Sequence, residues 1–292
     1  MINKLMNHIE RYKHRNFNPH SNLFRMIELQ NQTGCNYSCP FCPQNKDGIK
    51  LPQGSMDKEL YKKIIEELGE LRFKGQIRFG PMDESTLDNR LAEFVSIARE
   101  QCLQATIVIL TNGSKLERQL IRNLIDSGTS LIYVSDYTPN HGIISKINTM
   151  QLSKQDLQHF SLRRRSISET LTNRAGNVPE SNIPRTPYPA FCFYPFEGMA
   201  ITYNGKAIIC CQDYLFKEVM GDVQQNTLAE IWCNNKYSRL RKQLLNFNRA
   251  GFICQKCDFN GVNVMLHPSL DKVYIVIHNL LTPVKIYYSG RF

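Results

Sequence analysis

Three cysteines, Cys35, Cys39 and Cys42, share the short stretch TGCNYSCPFCPQN at residues 33–45. A structural zinc site or a conventional ferredoxin-type cluster takes four protein thiolates. Three thiolates on one loop can instead hold three corners of a [4Fe-4S] cube and leave the fourth iron to an exogenous ligand. Two plainer readings use the same residues: a zinc ion that borrows a fourth ligand from elsewhere in the chain, or three reduced core cysteines. A second set follows, with Cys192 before the segment GMAITYNGKAIICC, Cys210 at its end, and Cys254 with Cys257 as CxxC. These four thiolates suit either a fully ligated second cluster or a closed zinc site.

The rest of the chain limits what these cysteines can be. It has 292 residues, 42% apolar and 21% charged, which reads as globular and as one barrel-sized domain plus a smaller one. The N-terminus MINKLMNHIERYKHRNFNPH is too polar for a signal peptide, and no apolar run approaches the ~20 residues that span a bilayer. A soluble cytoplasmic protein with no membrane partner is expected. Ten cysteines in such a chain point to metal ligation or redox chemistry, because the cytosol keeps thiols reduced. The net charge of +10 is diffuse, and its densest run, Arg163 to Arg165, lacks the aromatic interleaving of a base-stacking surface. A solvated basic face is expected, and nucleic acid is disfavoured.

The elements that must position the cysteines follow from periodicity. Ile2, Leu5, Met6 and Ile9 fall at helical spacing and predict an amphipathic first helix packed against the fold. From Leu23, strands and helices alternate: LFRMIELQ, then the cysteine loop, MDKELYKKIIEELGEL, GQIRF, DNRLAEFVSIARE, ATIVIL, SKLERQLIRNLIDSG and SLIYVSD. Such βα units argue for a parallel sheet or barrel, with chemistry at the C-terminal ends of the strands. After Asp136 the regularity fades, and HFSLRRRSISETLTNRAGN offers a fifth strand. The Pro-containing stretch 177–191 reads as a linker. Beyond it Asn204-Gly205 predicts a hairpin with a type I′ turn, and Thr227 with Glu230 opens a helix through TLAEIWCNNKYSRLRKQLLN as a capping box.

The CxxxCxxC spacing, with the aromatic Phe41 just before the third cysteine, resembles the signature of the radical S-adenosylmethionine (SAM) superfamily. That resemblance implies that SAM chelates the open iron and is cleaved to a 5′-deoxyadenosyl radical. The segment IRFGPMDESTLDNRL then stands where the superfamily binds the amino group of the cofactor's methionine. Glu84 aligns with the usual carboxylate, while Asp83 stands where glycine is usual and Ser85 where proline is usual, so either acid can take the role. Thr111 and Asn112 of LTNG, and Ser135 at the end of the fourth strand, are similar to family positions that line the cofactor pocket. For these three, a turn or strand-end polar residue is the plainer reading.

Gly205 followed by Cys210 matches the GxxxxC element of the SPASM and twitch auxiliary-cluster subgroup, and the lack of cysteines after Cys257 favours the shorter twitch form. Within that subgroup RMIELQNQTGCNYSCPFCP, SMDKELYKKIIEEL, TNRAGNVPESNIP, VMGDVQQNTLAEIWCNNKYSRLRKQLL and CQKC resemble the family of 2-deoxy-scyllo-inosamine dehydrogenases of butirosin biosynthesis. The resemblance implies an abbreviated partial (β/α)6-type radical SAM barrel at 23–176, following an N-terminal helical extension at 1–22. A twitch domain of hairpin plus helix would occupy 192–265, with a tail at 266–292. It further implies two [4Fe-4S] clusters, an external one-electron reductant such as flavodoxin or ferredoxin, and oxidation of a hydroxyl-bearing carbon of an aminocyclitol or sugar to a ketone. Arg174 aligns with a substrate-site arginine. The alternative is a radical epimerase in which Cys211 or Cys233 returns hydrogen, and a further one is a non-catalytic electron-transfer or nucleic-acid-binding iron-sulfur protein. Cys102 reads as structural. The RRRS run equally suits a phosphorylated or nucleotide-linked carbohydrate, and a peptide substrate is disfavoured because no leader-recognition domain precedes the barrel.

Overall fold

The computed structural model describes residues 2–45, 51, 53–165, 172–178, 190–259 and 261. Most of the expected linker and the whole of the expected tail lie outside the described residues. The first helix, α1 (Ile2–Lys13), leads into strand β1 (Met26–Leu29). Alternation then follows as the sequence predicts: α2 (Lys58–Glu70), β2 (Gln76–Phe79), α3 (Leu91–Gln101), β3 (Thr106–Thr111), α4 (Arg118–Asp126) and β4 (Leu131–Asp136). Two short helices, α5 (Gly142–Thr149) and α6 (Lys154–Leu157), precede the fifth strand β5 (Phe160–Arg164).

The auxiliary region contributes α7 (Tyr194–Glu197), β6 (Gly198–Ile201), β7 (Lys206–Ile208), β8 (Val219–Asp222), α8 (Leu228–Cys233) and α9 (Asn235–Leu245). Its strands continue the barrel sheet, giving the single order β5-β4-β3-β2-β1-β6-β7-β8. Strands β1 to β5 are parallel, β6 joins β1 in parallel, and β7 and β8 fold back antiparallel. The two cysteine sets are therefore carried by one sheet.

Strand alternation sorts the side chains. Ile27, Ile77 and Ile107 lie in register and are wholly buried. They join α2 and α3, where Tyr61 stacks on Phe94 at 4.1 Å and donates its hydroxyl to the Phe94 carbonyl at 2.6 Å. The alternate positions carry Glu28, Arg78, Tyr133, Ser135 and Arg163. That face therefore carries polar side chains on β1, β2, β4 and β5, interrupted by Val108 and Leu110 on β3.

Three expectations are corrected. The hairpin between β6 and β7 is not type I′, since of Asn204 and Gly205 only Gly205 has positive φ, at 81°. Gly205 N–H donates to Thr202 O and Thr202 pairs with Lys206, a three-residue loop closed by a left-handed glycine. The single helix expected after Thr227 is two. The Thr227–Glu230 capping box opens α8, and extended Asn234 then caps α9 by accepting from Tyr237 N–H, which ends one helix and starts the next. Finally, α1 does not bury its apolar stripe. Leu5 and Ile9 are 62% and 49% exposed, while Asn7, Glu10 and His14 are buried. Hydrogen bonds from Asn7 to Phe191 and from His14 to Glu197 dock that polar face on the auxiliary region.

Candidate active site

Each piece of the site hangs from the end of a strand. The cysteine loop follows β1 and is tied to the loop after β2 by backbone bonds from Glu84 N–H to Gly34 O and from Gln32 Nε2 to Glu84 O. It also meets the end of β3, where Asn112 Nδ2 lies 3.6 Å from Cys35 Sγ and 3.0 Å from Asn36 Oδ1. Burial raises the pKa of Cys35, Cys39 and Cys42, and the other thiols of the loop add to this for Cys35 and Cys39, the latter reaching about 11. The loop is built to gather three sulfurs that remain protonated until a cation stabilises the thiolates.

The second set also converges. Cys210 is pushed well up by burial and then by Cys211, Cys254, Cys257 and Cys192. Burial and the neighbouring Cys192 likewise raise Cys254, and Cys257 to about 11. In neither set do three sulfurs lie within 4.8 Å of one another. A tetrahedral zinc site, with Zn–S bonds of about 2.3 Å, needs sulfurs roughly 3.8 Å apart. The group that does meet that closeness among the described residues, Glu10, His14 and Glu197, is a docking contact of α1.

The two acids after β2 differ sharply. Glu84 is 2% exposed and its carboxylate is fully used. It accepts from Thr86 N–H and Oγ1, from Thr111 Oγ1 at 2.6 Å and from Asn112 N–H at 2.7 Å. Asp83 has two buried carboxyl oxygens with no hydrogen-bond partner. Burial, then the charge of Glu84, raises its pKa well above the usual carboxylate range, and nearby backbone amides oppose this only in part. Gly80 makes the turn that aims both acids. Its φ is +89°, and a Cβ there would stand 2.3 Å from Leu110 O. Thr111 and Asn112 thus serve chiefly to wire Glu84 and the cysteine loop together.

Phe41 packs on Tyr137 with ring centroids 5.2 Å apart, and Ser135 lies near the end of β4 on the same stretch of chain. Arg174 lies in a 3₁₀ turn where it and Ala175 both have positive φ, 50° and 53°. Two consecutive left-handed non-glycine residues store strain, held here by clamps from the auxiliary loop. Asn173 N–H donates to Asp258 Oδ1 and Asn173 Nδ2 to Lys256 O, both at 2.8 Å. The Arg174 guanidinium stands 5.6 Å from the Tyr214 ring centroid, and its Nε has no partner. Burial opposes its charge, but Tyr214, Cys211, Cys42 and Tyr137 around it more than compensate. Arg174 therefore borders the first cysteine loop through Cys42 and the second set through Cys211.

Sequence reasoning missed Tyr137, Tyr214, Tyr194, Arg78 and Glu28. Tyr194 donates to Glu28 Oε2 at 2.6 Å, and Arg78 Nη1 lies 3.6 Å from Glu28 Oε1. A charged residue inside the buried strand MIEL was the available signal. Cys233 sits elsewhere, on α8 beside Arg241, and Cys102 is buried in the helix-covered core.

A three-cysteine loop after the first strand of a partial barrel, with a second cysteine set on the strands that extend its sheet, defines a class, and family comparison gives the same one. The radical SAM superfamily matches residues 31–151, and the SPASM iron-sulfur cluster-binding domain matches residues 192–258. The chain belongs to the radical SAM superfamily, as an oxidoreductase of its dehydrogenase-like branch whose cofactors are SAM and iron-sulfur clusters. The particular protein it is similar to is the S-adenosyl-L-methionine-dependent 2-deoxy-scyllo-inosamine dehydrogenase of Niallia circulans, 30% identical over 263 residues, 86% of this chain and 98% of the relative. The crystal structure of BtrN in complex with AdoMet and 2-DOIA superposes with a TM-score of 0.72 at 29% identity, covering 83% of this chain and 94% of that one. An open conformation of BtrN gives 0.63 at 26% identity, covering 81% and 93%. No helix among the described residues is long and apolar enough to cross a membrane.

Proposed function

We propose that this protein oxidises a hydroxyl-bearing carbon of an aminocyclitol or related sugar alcohol to a ketone, in the cytoplasm, with electrons delivered by a flavodoxin- or ferredoxin-type carrier. The observation that carries the reading is Arg174, held in a strained turn between the two cysteine sets with an unpartnered Nε. Bound at Cys35, Cys39 and Cys42, a [4Fe-4S] cluster with SAM supplies a 5′-deoxyadenosyl radical, and a second cluster at Cys192, Cys210, Cys254 and Cys257 supplies an electron acceptor. The chain's own part is placement. Arg174 offers a fixed donor to the substrate oxygen, favouring the developing negative charge there. The free carboxyl of Asp83 is the group available for the methionyl ammonium, because Glu84 has no free acceptor and organises the loop instead. Phe41 and Tyr137 wall the site against water, and Ser135 at the end of β4 lines the cofactor pocket.

The test uses anaerobically reconstituted protein with reductant, SAM and a panel of aminocyclitols and sugar alcohols in deuterated water. Loss of two hydrogens from a substrate, matched to 5′-deoxyadenosine, is expected and should be abolished by Arg174→Gln. A product of unchanged oxidation level carrying one solvent deuterium overturns the reading.

A further inference from the structure

We propose that the groove over the Cys254–Cys257 loop docks an acidic one-electron carrier protein, an assignment that rests on the dehydrogenase reading above. Turning an alcohol into a ketone removes two electrons and two protons. The hydrogen atom taken by the 5′-deoxyadenosyl radical accounts for one of each. The remaining proton goes to solvent. The remaining electron must leave the protein before the next turnover, reducing an oxidised carrier by one electron. The second cysteine set therefore needs a surface on which such a carrier can rest.

A groove of about 320 Å³ lies on that loop. Phe252, Ile253, Gln255 and Lys256, the residues that bracket Cys254 in the chain, form one side of it. Its other wall is the Arg174 turn, through Ala175 and Asn177. The two walls are in close contact, since a Cβ on Gly176 would stand 3.1 Å from the Cβ of Lys256. The mouth is open at Gly251, where nothing lies within 4 Å of the place a Cβ would take. A partner seated here rests on the backbone that carries Cys254.

Charge selects the occupant. Lys217 and Lys256 both line the groove and are exposed, and neither ammonium has a hydrogen-bond or ion-pair partner among the described residues. Arg239, also exposed, adds a third cation, its guanidinium 5.0 Å from the ring centroid of Phe252. Glu218 is the single acid among the described lining residues, and Lys236 answers it at 3.5 Å. Lys236 also donates to the Val219 carbonyl at 2.7 Å, which sets the exposed Val219 side chain beside the cationic rim. An apolar contact flanked by uncompensated cations suits an acidic protein face, whose encounter it steers and whose binding salt screens. A nucleic acid would want exposed rings for its bases, and the aromatic residue of the lining, Phe252, is buried.

The experiment titrates oxidised flavodoxin, as an acidic probe, into the cluster-loaded protein by calorimetry at about 20 mM and about 200 mM salt. Wild type is expected to bind at the lower salt and to lose most of that affinity at the higher. Lys217→Glu/Lys256→Glu should bind about 10-fold more weakly or worse at low salt. Lys146→Glu/Lys154→Glu makes the same change of net charge on α5 and α6, beside the opposite edge strand β5, and should stay within about twofold of wild type. Carbodiimide coupling of the wild-type complex should join probe carboxylates to Lys217, Lys256 or Lys236. Equal weakening in the two double variants overturns the assignment, as does wild type that fails to bind at low salt. Cross-links confined to other lysines overturn it too, and they decide alone should the reversed variant fold poorly. Wild type that docks the probe at this groove yet forms no ketone from any cyclitol brings down the dehydrogenase reading and leaves the docking assignment standing.

Discussion

Substituting the two acids after β2 separately should produce opposite effects on stability, and the sizes follow from their contacts. In Glu84→Gln an amide replaces a carboxylate that accepts four hydrogen bonds in a site 2% exposed. Each bond drops from the charged to the neutral class, and one amide hydrogen must face the donors of Thr111 or Asn112. Together these amount to about 3–5 kcal/mol of lost stability. At roughly 2–4 °C per kcal/mol for a chain of this size, Tm should fall by about 6–20 °C. Asp83→Asn removes a carboxyl that has no side-chain hydrogen-bond partner. Because the folded pKa of Asp83 is raised, the native state holds a proton that the unfolded state releases above its ordinary carboxylate pKa. Wild-type stability therefore declines as pH rises through that window, and the asparagine variant should gain on it steadily toward neutral pH. Thermal unfolding of the cluster-free protein at pH 5 and pH 8 measures both effects. SAM affinity of the loaded protein should fall about 10- to 100-fold in Asp83→Asn, the loss of one charge-assisted contact. Asp83→Asn that destabilises like Glu84→Gln, or binds SAM as wild type does, refutes the division of labour between the two.

Gly80→Ala should cost on the order of 2 kcal/mol or more, because φ is +89° and the new methyl meets the Leu110 carbonyl; a smaller loss in the denaturant midpoint would mean that the turn can relax. The docking of α1 should weaken with rising pH. Burial depresses the His14 pKa, but its hydrogen bond to Glu197, the Glu10 carbonyl and the nearby charges outweigh this and leave it raised. The contribution is then complete below about 6.5 and lost as pH climbs through the folded value. Hydrogen exchange in α1 should accelerate over that range in wild type and not in His14→Gln, and identical profiles would refute the linkage.

The parallel strands and the spacing of both cysteine sets were legible because each is local: period and CxxC geometry are read within a few residues. What escaped depends on long-range pairing. Asn234 looks like any helix-interior asparagine until its side chain caps Tyr237 N–H. The stripe of Leu5 and Ile9 reads as the buried face, yet Asn7 and His14 find partners more than 180 residues away, and those bonds orient α1. Asp83 and Glu84 are adjacent and alike on paper. Only the fold shows that Thr111 and Asn112 saturate one of them.

The position of β6 explains what holds the two cysteine sets and Arg174 in fixed relation. A free-standing auxiliary domain would set the separation of its cysteines from the first loop through an interface able to slide. Here β6 pairs with β1 from Met26↔Gly198 to Leu29↔Ile201, and the ladder runs on through Gln30 N–H to Ile201 O at 2.9 Å. The cysteine loop leaves the C-terminal end of β1, whereas Cys210 follows β7, which runs antiparallel to β6, so the two sets lie toward opposite ends of one hydrogen-bonded frame whose strands stand about 4.8 Å apart. The strained Arg174 turn is clamped to the Cys254–Cys257 loop at Asp258 and Lys256. The Arg174 turn and both cysteine-bearing loops are thereby tied to one backbone frame.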